Sequence, residues 1–156
     1  MPAGSDPTGV SLPRTWRPLG PRIAGAVAGG VLVLMMVFLW VGFDDETRAS
    51  VTPFQRGTVV ALGLLIGSAI YALTRSRAVA DEKGLLVVNG YRSRTYAWAQ
   101  IISVHLPPGA PWVTLDLTDG TTVSVMAIQS SDGQRARTAV RELRRLVDHP
   151  DAPRDR

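Results

Sequence analysis

The sequence predicts an α+β protein: a two-helix transmembrane hairpin, followed by a bent antiparallel β-sandwich or barrel capped by a C-terminal helix. Three observations carry this. Two apolar runs, residues 23–43 and 57–73, contain no charged residue and no histidine. Behind them come short runs of alternating apolar and polar residues, punctuated by Asn89-Gly90 and Asp119-Gly120. An apolar stripe at helical spacing closes the chain.

Composition narrows the chemistry. The chain has 156 residues, a formal net charge of +4 and no cysteine, so disulfides, zinc–thiolate sites and thiol nucleophiles are excluded. Basic charge is almost all arginine, Lys83 being the one lysine. The arginines flank the apolar runs and decorate one late helix, a placement that suits an anionic leaflet rather than nucleic acid.

Residues 1–21 are rich in Pro, Gly, Ser and Thr and read as a disordered cytoplasmic tail, with Trp16 either at the membrane interface or solvated. The hairpin occupies 22–74. Its first run of 21 residues is long enough to cross about 30 Å of hydrocarbon, and its second, of 17, is at the lower limit. Trp40, Phe43 and Tyr71 suit the headgroup region. A secretory signal is the rival reading of the first run, but the run is too long and no small-residue cleavage site follows. Arg14, Arg17 and Arg22 precede the hairpin, and Arg75 and Arg77 follow it. The connecting loop offers Arg48 and Arg56 against Asp44, Asp45 and Glu46. The positive-inside rule therefore places the chain in the inner membrane, multi-pass, with both termini cytoplasmic; Arg56 dissents. Gly25 with Gly29, and Gly63 with Gly67, stand four residues apart and permit close helix approach. They serve either a homo-oligomer or, more simply, packing within one hairpin. Neither span carries Asp, Glu, Lys, Arg or His, which argues against transport.

A soluble domain follows at 75–148. Residues 78–81 and 85–89 read as strands, and Asn89-Gly90 as a two-residue hairpin turn with positive φ. Residues 92–98 return, with Arg92, Arg94 and Tyr96 opposite Ser93, Thr95 and Ala97. A strand at 101–106 ends at Pro107 and Pro108. Val113, Leu115 and Leu117 alternate with polar residues, Asp119-Gly120 turns, and Val123 and Val125 come back inward. Residues 132–148 form a helix opened by a Ser131–Gln134 capping box. Its stripe is Ala136, Ala139, Val140, Leu143, Leu146 and Val147, with Arg135, Arg137, Arg141, Arg144 and Arg145 on the remaining surface. Pro150 stops it, and 149–156 reads as a second disordered tail.

The motifs Lys83-Gly84-Leu85, Tyr96-Ala97-Trp98-Ala99-Gln100-Ile101 and Leu117-Thr118-Asp119-Gly120, followed by the helix, resemble a bacterial pleckstrin-homology (PH-like) domain. They are most similar to the short actinobacterial membrane proteins grouped with low molecular weight protein antigen 6. Gly84, Trp98, Ile101, Asp119 and Gly120 carry the match over about 75–147. The resemblance implies two orthogonally packed sheets capped by the helix, and a binding or scaffolding role. It requires seven strands, where the pattern yields six.

No residue set reads as catalytic. His105 has no cysteine or carboxylate at metal-ligand spacing, and His149 lies in the terminal tail. Ser103, Ser124 and Asp116 have no nucleophile elbow and read as solvent-facing strand residues. Trp98 is read as a buried anchor rather than a pocket-rim aromatic. The expectation is a non-enzymatic protein without cofactor or metal, in contact with membrane lipid and recruiting a protein partner. Its alternative is an anionic lipid headgroup held by Lys83, Arg92 and Arg94.

Overall fold

The computed structural model describes residues 10–148. The chain forms two compact units, one built from residues up to Gly20 together with those from Arg75 onward, the other from Pro21–Thr74.

The second of these units is the apolar hairpin. Helices α1 (Gly20–Gly42) and α3 (Pro53–Arg75) are each 23 residues long, about 35 Å, and are long and apolar enough to cross a membrane. Their side chains face outward: Phe38 is 78 % exposed, and Leu34 and Leu64 are each 70 % exposed. Such surface is stable in hydrocarbon and costly in water. Both helices outrun the apolar runs; α1 starts three residues early and α3 four. Thr52 and Gln55 cap it reciprocally, each side chain accepting the other's backbone N–H, and Pro53 takes the first helical position. A short helix, α2 (Asp45–Ser50), bridges the two, with Asp44 accepting from Thr47 N–H at 2.7 Å. The loop arginines have local work. Arg48 donates to the carbonyls of Trp40 and Val41 at the end of α1, and Arg56 lies 5.3 Å from the Trp40 ring centroid. These contacts account for two loop arginines that charge counting treats only as a vote on orientation.

The first, the sheet unit, has two antiparallel sheets and a closing helix. Strands β1 (Arg14–Trp16), β2 (Arg77–Ala80), β3 (Gly84–Asn89) and β4 (Arg92–Ala97) form one sheet in that order. Strands β5 (Ile101–His105), β6 (Trp112–Leu117) and β7 (Thr122–Gln129) form the other. The seventh strand is therefore β1, from the segment before the hairpin, pairing Trp16 with Ala78 and Arg14 with Ala80. The expected disordered tail is corrected from residue 10 onward. Trp16 buries its indole, 7 % exposed, rather than meeting solvent or lipid, and Val10 is buried beside it in the core. Residues 1–9 and 149–156, with His149 and Pro150, lie outside the described residues.

The inward faces of both sheets meet helix α4 (Gln134–Asp148) in one core. Every residue of the expected stripe, from Ala136 to Val147, is buried. The expected capping box does not form. Ser130–Asp132 make a 3-10 turn, Gly133 takes φ +57, and the first helical bond runs from Arg137 N–H to the Gly133 carbonyl. A bulge between Ile101 and Ser103 shifts the phase of β5, so that Ile101 and Val104 point inward and Ile102 is left exposed.

Candidate functional site

The β3–β4 hairpin builds the best candidate. Asn89 pairs with Arg92, so the two-residue loop is Gly90-Tyr91, with positive φ at Gly90 alone. That is the type II′ pattern, and it corrects the expectation that Asn89 shares the turn. Asn89 has another task. Its side chain donates to the Ser124 carbonyl and accepts from Met126 N–H at 3.0 Å, clamping β3 of one sheet to β7 of the other.

On β4, Arg92, Arg94 and Tyr96 share one face, since side chains alternate along a strand. Tyr96 is buried opposite Leu85, while Arg94 stands opposite Val87 and Arg92 opposite Asn89, both arginines exposed. The interior face of the sheet thus runs out into a basic cleft of about 460 Å³, lined by Asn89, Arg92, Ser93, Arg94 and Tyr96 with Val87 and Val123. Neither arginine has an ion pair among the described residues. Lys83 is not part of it. It lies in the β2–β3 turn, where Asp81 accepts from its N–H, and Gly84 to Asn89 spans about 17 Å of strand. The three basic residues expected to act together are therefore split between the two ends of β3.

Asp119 and Gly120 form the β6–β7 turn, with Gly120 at φ +79 and its N–H on the Leu117 carbonyl. Thr121 donates to the Asp119 carboxylate from its hydroxyl at 2.6 Å and its N–H at 2.9 Å. These bonds, the hydroxyl first, hold the Asp119 carboxyl below its ordinary range, with a further small lowering from the charge of Arg94.

The remaining motif residues are structural in their contacts. Trp98 is buried and donates its indole N–H to the Asp81 carbonyl at 2.9 Å. Ile101 is buried at the start of β5. A Cβ on Gly84 would collide with the Tyr96 carbonyl oxygen across the strand pair. Within the hairpin, a Cβ on Gly25 would stand 2.9 Å from Ile70 and 3.1 Å from Thr74, so this glycine packs α1 on α3. Gly29 has ordinary clearance from Ile70, and open space surrounds Gly63 and Gly67.

One cluster escapes sequence reading. Ser103 and His105 lie on one face of β5, and cross-strand pairing sets Asp116 opposite Ser103. The Asp116 Oδ2 accepts from the Ser103 hydroxyl at 2.6 Å and lies 2.7 Å from His105 Nε2, a contact that spacing along the sequence does not show. Ser124 joins none of these bonds. The wiring is not that of a nucleophilic triad, in which histidine receives the serine proton on one nitrogen while the acid holds the other. Here one nitrogen, His105 Nε2, lies 2.7 Å from both Ser103 Oγ and Asp116 Oδ2, and the serine hydroxyl donates to that same carboxylate oxygen. The Ser103 bond, above the contribution of His105, keeps the Asp116 carboxyl below its ordinary range. No group of three metal-ligating side chains occurs among the described residues.

Residues 75–146 match the family model described as bacterial PH domain. That match begins after the hairpin and so omits β1. Over 147 residues the chain is 32 % identical to uncharacterized protein Rv1417 of Mycobacterium tuberculosis and to uncharacterized protein Mb1452 of Mycobacterium bovis, covering 94 % of each chain. No solved structure gives a significant match. The chain belongs to one family with these mycobacterial proteins, and its sheet unit carries a bacterial PH domain.

Proposed function

We propose that this is a non-enzymatic membrane protein whose PH-like domain recruits or scaffolds a protein partner at the cytoplasmic face of the inner membrane. One observation carries the reading: β1 precedes the apolar hairpin and β2 follows it, yet the two pair residue for residue. The hairpin is thus an insertion in the first connection of the sheet. A domain closed around such an insertion stays at the bilayer, and both ends of the hairpin must emerge on one side of it. The arginine count of five against two favours the cytoplasm as that side. In the Ser103, His105 and Asp116 cluster the serine hydroxyl donates to the carboxylate, and the histidine nitrogen that faces it is shared with the same oxygen, which favours binding over turnover.

The absence of cysteine makes the test clean. Ala49→Cys in the loop and Asp148→Cys at the end of α4 are each labelled with a membrane-impermeant maleimide on intact cells. Labelling at 49 alone is expected; labelling at 148 without permeabilisation overturns the topology. Affinity capture of the full chain in mild detergent then tests the role. A partner protein recovered in stoichiometric amount supports scaffolding, and recovery of lipid alone overturns it.

A second reading is favoured by the shared face of Arg92 and Arg94: an anionic lipid headgroup in the basic cleft, held by charge-assisted bonds. Arg92→Glu/Arg94→Glu should abolish discrimination among headgroups in reconstituted vesicles, whereas Lys83→Glu, at the far end of β3, should leave it intact. Equal effects of the two changes would count against a localised site.

A further inference from the structure

As the outermost strand of its sheet, β1 has one edge on β2 and no strand on the other. A groove of about 510 Å³ lies between this strand and α4, lined by Thr15, Trp16 and Arg17 on one side and Arg135 and Thr138 on the other. Buried Ala127 and Ile128 form its base. Its size falls in the range of about 300–1,000 Å³ typical of binding clefts.

The charges in the groove are unequally committed. Both carboxylates are occupied internally. Asp132 accepts from the N–H groups of Leu19 and Gly20 at 3.1 and 3.0 Å. Glu142 accepts from Arg14 Nε and Nη2 and from the Trp16 indole, all within 3.1 Å. Arg14 is consumed by the same interaction. Arg17 and Arg135 are left exposed, with no hydrogen-bonded or ionic partner among the described residues. A strand edge offers main-chain N–H and C=O groups to another extended chain, and a free guanidinium takes a carboxylate in a two-point bond.

We infer that this groove binds an extended acidic protein segment, added as a strand beside β1 with its carboxylates on Arg17 and Arg135. The inference rests on the scaffolding reading and names its docking surface. A lipid headgroup fits less well, because it has no backbone to pair with a strand edge.

The probe is a fluorescein-labelled hexapeptide alternating Glu and Val, titrated by anisotropy against the full-length protein in neutral-detergent micelles. Saturable binding with Kd below about 1 mM is expected. Affinity should fall at least tenfold in Arg17→Glu/Arg135→Glu. It should also fall at least tenfold when alternate peptide nitrogens are methylated, and stay unchanged in Arg92→Glu/Arg94→Glu. Should charge reversal disturb folding, as read from protease resistance, Arg17→Gln/Arg135→Gln replaces it, with at least a threefold loss expected. No saturation, equal binding of the Lys–Val peptide, indifference to methylation, or displacement by phosphatidylglycerol but not by unlabelled peptide each overturns the inference. A photocrosslinker at Thr15 separates it from its premise. A partner captured by affinity but never crosslinked from Thr15 sinks the groove and leaves scaffolding standing. Peptide binding there with no cellular partner recovered sinks scaffolding alone.

Discussion

Replacing Trp16 by alanine removes the large side chain through which β1 enters the core. The ring is 7 % exposed, and large-to-small changes of a buried tryptophan cost about 3–5 kcal/mol. Loss of the indole bond to Glu142 adds about 0.5–1 kcal/mol, because that carboxylate is partly wet and water replaces the donor. Small domains have about 5–15 kcal/mol in all, so W16A should strip a large share of the stability of the sheet unit. With a urea slope of about 1–3 kcal/mol per molar, the midpoint falls by roughly 1–6 M. Pulse proteolysis of the full-length protein across a urea series in mild detergent reads this directly, since the micelle shields the hairpin helices. Trp16→Phe, which keeps an aromatic ring in place, should cost about 1 kcal/mol. A W16A shift corresponding to less than about 1 kcal/mol would refute the claim that the segment before the hairpin belongs to the domain.

Other outcomes follow from the same contacts. Gly84→Ala forces the β3–β4 backbone apart and should cost about 1–3 kcal/mol in the same assay, whereas Gly120→Ala strains only an exposed turn and should cost less. Asn89→Leu keeps volume but leaves the Ser124 carbonyl and Met126 N–H without their partner; about 2–4 kcal/mol is expected, and a neutral result would argue against the inter-sheet clamp. Asp116 and Asp119 both have folded pKa values below the unfolded 3.8, so their stabilising effect is complete above that value and fades as pH falls through the lowered ones. The midpoint of thermal unfolding should therefore hold between pH 7 and 5 and decline below about pH 4. Asp116→Asn/Asp119→Asn should flatten that decline; an equally steep fall would assign it elsewhere. Gly25→Val should loosen the hairpin against protease where Gly67→Val does not, because Ile70 and Thr74 crowd only the former.

Much of this architecture is legible in the sequence wherever one element carries its own period. The α4 stripe and the alternation of Val113, Leu115 and Leu117 announce their buried faces, and the charge-free runs announce the hairpin. What escapes is pairing at long range. Arg14–Trp16 is too short to show a period, sits among prolines, and finds its partner 62 residues later, from Trp16 to Ala78. The His105–Asp116 approach depends on cross-strand register, which a bulge at Ile101–Ser103 had already shifted. Lys83 looks close to Arg92 in sequence, but an extended strand separates them. Two local signals cut opposite ways. Thr52-Pro53-Phe54-Gln55 is a readable capping box that hydropathy alone overlooks, and Ser131–Gln134 imitates one that Gly133 prevents.

Because the sheet's first strand leaves the ribosome before the hairpin and its second strand after, this domain cannot finish folding while the chain is half made. Closing so long a loop in free solution would cost about 3–4 kcal/mol beyond a constant term. Insertion of two helices side by side brings the ends of that loop together beforehand. In the proposed membrane arrangement the insertion machinery would act as a timer for the domain, with Trp16 unpaired until Ala78 arrives. A nascent chain stalled in between should expose an unpaired strand edge to any chaperone nearby.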